Sequence, residues 1–253
     1  NFKKSVESFE FAIAIDEEYS SAYNNLGESY IGLENYELAK VNFYKSLELD
    51  GPSPEIYSAI GRAYYHLDDF ATSINYFQKS IKIDQFFKES YYWLGKSLVS
   101  LDKWFEAIHY FKKAHKLNNE NVDYIKSLAF AEYKVGNMVS SVDLYTKALE
   151  INPADFKTSL EFSLIYYESG DIEKAINIIK EGIVEVPEES LLYYRLVIYL
   201  MDSGRYKESM NVLESALSLN FDNHEVLFDF VPNFETQSAL IRIINQFRNN
   251  NLK

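Results

Sequence analysis

Hydrophobic positions in this chain repeat every 34 residues. From Ser20 onward six blocks stack without a gap: 20–53, 54–87, 88–121, 122–155, 156–189 and 190–223. Place seven of the blocks is Leu26, Ile60, Leu94, Leu128, Phe162 and Leu196. Place twenty-four is Phe43, Phe77, Phe111, Tyr145, Ile179 and Leu213. Place eight is small at first and grows along the chain: Gly27, Gly61, Gly95, Ala129, Ser163 and Val197. A period of this length marks one supersecondary unit copied in series, each copy unable to bury its apolar face alone.

Each block predicts two amphipathic helices. In the first helix, Tyr23, Leu26, Gly27 and Tyr30 recur at three- and four-residue steps, the helical period. A break follows at Leu33-Glu34-Asn35, and again at Leu67-Asp68-Asp69, Val135-Gly136-Asn137, Ser169-Gly170-Asp171 and Ser203-Gly204-Arg205. Gly, Asn and Asp tolerate the left-handed conformation that closes a helix. A large side chain then opens the second helix: Tyr36, Phe70, Trp104, Met138, Ile172 or Tyr206. Pro153, Pro187 and the Gly51-Pro52 pair stop the second helices. The small residue at place eight belongs where the two helices cross, letting their backbones approach closely.

These blocks resemble tetratricopeptide repeats. The family's pattern is kept best in 20–53, as Tyr23, Leu26-Gly27, Tyr30, Ala39, Phe43 and Ser46. Departures are Glu132 at place eleven, and Ser163 and Val197 at place eight. The resemblance implies an all-α, right-handed α-solenoid of helix-turn-helix repeats. It also implies a non-enzymatic protein–protein interaction scaffold of bacterial type, holding a partner peptide or helix in a concave groove lined by the first helices. The alternative is a sensor or regulatory region of a larger signalling protein, with its effector domain upstream.

Composition narrows the function classes. With 253 residues and no Pro/Gly/Ser-rich linker, a single array is expected. The 21 Tyr and 18 Phe fall mostly at repeat-core places, which favours a stacked core over an aromatic binding face. A net charge of −13 argues against nucleic acid as the partner, because phosphate binding needs a Lys/Arg surface. Zero cysteines fits a reducing compartment, so a cytoplasmic location is expected. No segment has the length and apolarity of a membrane span. His109 and His115 are six apart on one helix and face different ways, so they do not form an i, i+4 metal pair. With no Cys nucleophile, Gly-rich phosphate loop or Ser elbow, neither catalytic residues nor a cofactor is expected.

The ends depart from the period. Residues 1–19 read as the second helix of a truncated repeat, with Phe2, Ser5, Phe9 and Ala12 where Tyr36, Ala39, Phe43 and Ser46 stand in the next block. Phe2, Val6, Phe9 and Ile13 are therefore expected to be partly uncovered. His224 to Val231 begins like a first helix that stops at Pro232. Residues 235–248 form a second amphipathic helix with Ala239, Leu240, Ile243, Ile244 and Phe247 on one side. Together 224–253 reads as a degenerate capping repeat.

By the resemblance, places two, five, nine and twelve point into the groove. That makes Arg62, Tyr65, Tyr92, Lys96, Lys126, Phe130, Tyr133, Leu160, Leu164, Tyr167, Tyr194 and Ile198 the candidate partner-binding residues. The first half of this surface is polar, with Arg62, Lys96 and Lys126 as isolated cations. The second half, closed by Met201, is apolar. Two arrangements fit the apolar part: an open strip that binds a partner, or a strip covered by the 235–248 helix. A family clamp for peptide C-terminal carboxylates is not expected, because Phe130, Glu161 and Leu191 stand where its polar and basic residues belong.

Overall fold

The computed structural model describes residues 2–230 and 234–251, with backbone alone at 229–230, 234–239 and 250–251. Two compact units, residues 1–141 and 142–253, make up the chain.

The first unit holds α1 (Phe2–Ile15), α2 (Ser20–Gly32), α3 (Tyr36–Asp50), α4 (Pro54–His66), α5 (Phe70–Ile83), α6 (Lys88–Val99), α7 (Trp104–Leu117) and α8 (Val122–Lys134). The boundary falls within α9 (Met138–Ile151). The second unit continues with α10 (Phe156–Glu168), α11 (Ile172–Glu185), α12 (Ser190–Asp202), α13 (Tyr206–Leu219), α14 (Val226–Phe230) and α15 (Phe234–Asn251). Helices pack as the period predicts: α2 on α3, α4 on α5, α6 on α7, α10 on α11 and α12 on α13. Among the described residues every element is helical.

What joins each pair in the first unit is a phenyl ring lying on a glycine. A Cβ built on Gly27 would sit 2.5 Å from the Phe43 ring; on Gly61, 2.7 Å from Phe77; on Gly95, 2.5 Å from Phe111. All three rings are fully buried. The close approach expected at place eight is thus a ring seated against backbone. In the last two repeats place eight gains a larger side chain and place twenty-four loses its ring: Ser163 is matched by Ile179, and Val197 by Leu213, whereas the fourth repeat sets Tyr145 against Ala129. The Ser163–Ile179 pair keeps roughly the summed volume of a glycine–phenylalanine pair, as a close-packed interior requires.

The turn between paired helices is also shared. Place fifteen is left-handed at Glu34, Asp68 and Asp102 (φ 58° to 59°) and at Gly136, Gly170 and Gly204 (φ 77° to 86°). The next residue caps the following helix. Asn35 Oδ1 accepts from the Leu38 N–H, Asp69 Oδ1 from Thr72 and Asp171 Oδ1 from Lys174. Capping therefore accounts for Asp69 in the Asp68-Asp69 pair.

Glu132, out of pattern at place eleven, is buried and paired. Its Oε1 lies 2.7 Å from Lys112 Nζ, and its Oε2 accepts from Asn137 Nδ2 at 2.6 Å. Burial alone would raise its pKa, but these hydrogen bonds and the Lys112 charge outweigh it and hold the carboxyl below its ordinary value.

At the first end, α1 buries no residue fully. Phe2 is 52% exposed although its ring covers Gly32, and Val6, Phe9 and Ile13 are half-buried. At the other end, Phe221–Glu225 forms a 3₁₀ turn before α14, so the first helix expected from His224 is shorter and begins later. Pro232 and the Ala239 side chain lie outside the described residues.

Two stability changes follow. Gly61→Leu forces the Phe77 ring from its seat and lowers stability by about 1–3 kcal/mol. Glu34→Gly removes a left-handed strain of about 1 kcal/mol and raises stability. Urea unfolding followed by far-UV circular dichroism reads both; an unchanged midpoint in either variant contradicts the corresponding contact.

Candidate functional site

The first helices of the first unit carry a linked set of charged and aromatic side chains. Place nine of consecutive repeats pairs them directly: the Arg62 guanidinium forms a salt bridge with Glu28. Lys96, one repeat further on, has no ion pair among the described residues. Its ammonium instead lies over three rings, 4.6 Å from the Trp93 centroid, 5.2 Å from Tyr65 and 5.8 Å from Tyr92. A cation over ring faces is attracted to their negative quadrupoles. The rings are fixed by each other. Tyr65 meets Trp93 and Phe70 edge-on at 5.2 and 5.6 Å, and His66 stacks on Tyr36 at 4.6 Å while touching Trp93 at 5.8 Å.

The same group sets the charge state of His66. Burial, then the positive charges of Lys96 and Arg62, push its pKa below the ordinary 6.5; Asp68 and Glu34 oppose them only in part. Lys96 is thus an ammonium beside a neutral imidazole, with no ion-pair partner of its own among the described residues.

Other sequence candidates fall into distinct environments. Lys126 is largely covered and lies 3.9 Å from Asp123, and Arg62 is paired with Glu28, so neither is the isolated cation expected from sequence. Phe130 packs edge-on against Trp104 at 5.7 Å, with Lys134 over it, and Tyr133 is half-buried beside the same ammonium. In the second unit Leu160 and Tyr167 are partly buried against its core, and Leu164 is half-buried. The Tyr167 hydroxyl donates to Asp202; burial and that carboxylate push its pKa up to about 12.

Tyr194 and Ile198 are core residues rather than binding residues. They are 0% and 1% exposed, in one buried cluster with Met201, Leu227 of α14, and Leu240 and Ile244 of α15. The Tyr194 hydroxyl is satisfied by the Asn220 carbonyl at 2.8 Å. Leucine and isoleucine of the closing helices occupy this end of the expected strip, the second of the two arrangements that the sequence permits.

Sequence reasoning missed Tyr36, His66 and Trp93. They stand at places seventeen, thirteen and six, beside the columns read as groove-facing. A repeat-by-repeat reading of places six and thirteen would have found Trp93 and His66, since only this part of the chain puts an indole and an imidazole there. Among the described residues no group of three or more His, Asp and Glu side chains could hold a metal ion, and no helix is long and apolar enough to cross a membrane.

Comparison with known proteins agrees with this architecture. Family models described as "Tetratricopeptide repeat" match residues 20–52, 54–87, 88–121 and 191–223, together more than half of the chain. No curated protein matches. Solved structures are similar in fold. PilF from Pseudomonas aeruginosa superposes with a TM-score of 0.67 at 18% identity, covering 90% of this chain and 98% of that one. The C-terminal part of a TPR repeat-containing protein from Cytophaga hutchinsonii gives 0.65 at 17%, covering 92% and 95%. YrrB, described as a TPR protein with an unusual peptide-binding site, gives 0.56 at 21%, covering 74% and 96%. With the repeat period, the paired helices and the family models in agreement, this chain belongs to the tetratricopeptide repeat family.

Proposed function

We propose that this protein is a non-enzymatic interaction scaffold whose first unit binds an acidic segment of a partner protein on the face formed by its first helices. One observation carries the reading: the half-buried Lys96 ammonium rests on Tyr65, Tyr92 and Trp93 with no carboxylate partner among the described residues. A partner Asp or Glu would complete the charge pair, while the aromatic rings cover its apolar neighbours. Arg62, Lys126, Phe130 and Tyr133 extend this surface in the first unit. Leu160, Leu164 and Tyr167 offer a separate apolar surface in the second. The interaction role of the family and the peptide-binding site of YrrB support the reading.

Selection from a displayed library of random peptides tests it. Peptides enriched on the protein should carry Asp or Glu beside an apolar residue, and Lys96→Glu should weaken them about tenfold while leaving helicity unchanged. Enrichment of peptides without acidic residues, or affinity unaffected by Lys96→Glu, contradicts the proposal.

The His66 environment adds a pH dependence. A bound carboxylate favours the imidazolium, so affinity for an enriched acidic peptide should rise as pH falls below the ordinary histidine value. In the free protein the depressed pKa has the opposite consequence. The unfolded chain takes up the proton first, so stability contributed by neutral His66 is lost as pH falls through this range. His66→Gln should flatten both dependences. Isothermal titration and urea midpoints at pH 7.5 and 5.5 measure them; parallel curves for the two proteins would remove His66 from the site.

A further inference from the structure

Place four of the repeats is Tyr23, Tyr57, Tyr91, Ile125, Ser159 and Tyr193. The tyrosines fill the space beside place twenty-three of the same repeat: Tyr57 lies 5.9 Å from Tyr76, and Tyr91 lies 6.5 Å from Tyr110, centroid to centroid. Two of the hydroxyls reach back to the preceding turn. Tyr91 donates to the Gln85 carbonyl at 3.1 Å, and Tyr193 to the equivalent Pro187 carbonyl at 2.9 Å.

In the fifth repeat this arrangement is missing its ring. Serine stands at place four and Ile178 at place twenty-three. Gly182 stands at place twenty-seven, where the other repeats have Ser or Ala. The two reductions face each other, since a Cβ on Gly182 would lie 3.0 Å from Ser159 Oγ. A mostly apolar cleft of about 420 Å³ opens there, lined by Leu149, Pro153, Ser159, Phe162, Ile178 and Gly182. Phe162 is the aromatic nearest the vacancy, but its ring is turned onto Tyr145 (5.4 Å, nearly parallel) and so forms a wall of the cleft. Ser159 is 1% exposed, and its hydroxyl makes no hydrogen bond among the described residues. Pro153, the counterpart of Gln85 and Pro187, is in the lining.

The rim adds a charge preference. Glu150, Glu181 and Glu185 border the cleft, make no ion pair among the described residues, and no Lys or Arg lines it. Glu181 and Glu185 are four apart on α11, a like-charge spacing that costs stability unless a cation answers it.

We propose that this cleft receives a tyrosine side chain from a partner-protein segment in which the tyrosine is flanked by lysine or arginine. The incoming ring takes the space that Tyr57 and Tyr91 fill in their own repeats, its hydroxyl reaches toward the Pro153 turn, and the basic neighbours meet the three glutamates. This surface is distinct from the Lys96 patch and asks for the opposite charge.

Titration of the isotope-labelled full chain with the blocked tripeptide Lys-Tyr-Lys tests the assignment, read at the amides of Ser159, Phe162, Ile178 and Gly182. We expect saturable shifts there, with affinity about tenfold above that for Glu-Tyr-Glu or Lys-Ala-Lys, because a buried aromatic anchor carries most of the energy. Ser159→Tyr, which supplies the ring from within, should abolish the shifts and raise the thermal midpoint. The surface variant Glu181→Gln with Glu185→Gln should weaken binding severalfold without altering the fold. Lys96→Glu should leave this titration unchanged, which separates it from the proposal for the first unit. Absence of saturable shifts, equal affinity for the three peptides, or undiminished binding by either cleft variant overturns the proposal. Tyramine binding as tightly as Lys-Tyr-Lys would make the cleft a small-amine pocket and overturn it too. So would shifts of the same amides on raising the protein concentration alone, which would make a second copy the occupant.

Discussion

The first unit depends on one contact made three times, a phenylalanine ring seated on a glycine of the paired helix. Without a Cβ at place eight, the ring packs directly on helix backbone and is sealed from water. The contact fixes how close and at what rotation the two helices lie, and so where their remaining side chains point. Both faces of each pair inherit this geometry. In the fifth and sixth repeats, larger residues at place eight are answered by smaller ones at place twenty-four. In these two repeats the ring is given up when place eight grows, while the fourth repeat keeps Tyr145 beside the small Ala129, so a ring at place twenty-four goes with a small residue at place eight.

This explains what was legible in the sequence. Helix pairs, their turns and their order follow from a period that depends on local propensity and on this volume rule. Glycines at places eight and fifteen announce themselves. Glu34, Asp68 and Asp102 adopt the same left-handed turn without glycine, because the repeat geometry imposes it. Side-chain pairing across repeats was less legible. Arg62 reads as a lone cation until Glu28, 34 residues earlier, is brought beside it. Tyr194 and Ile198 fit a groove-facing column until α14 and α15 bring Leu227, Leu240 and Ile244 into the same core. The closing segment breaks the period, so the columns say nothing about what it covers.

The proposed sites sit where repeats depart from one another. A scaffold of equal units offers equal surfaces, and selectivity has to come from the exceptions. In the first unit the exception is an ammonium on a bed of aromatic rings beside an imidazole kept neutral. In the second it is a missing ring that leaves an apolar cleft edged with carboxylates. The two proposed sites carry opposite charge preferences, so on these readings one protein would hold two chemically distinct segments.

A double-mutant cycle at the second repeat tests the volume rule most directly. Gly61→Ser and Phe77→Ile together install the pair that the fifth repeat uses, Ser163 with Ile179. Each single change should destabilise, one by overpacking and the other by opening a cavity. The double variant should recover part of the loss, with a coupling energy of about 0.5–3 kcal/mol, as expected for residues in contact. Strict additivity of the two losses in urea unfolding would contradict the account, because it would mean that the ring and the glycine do not share one space.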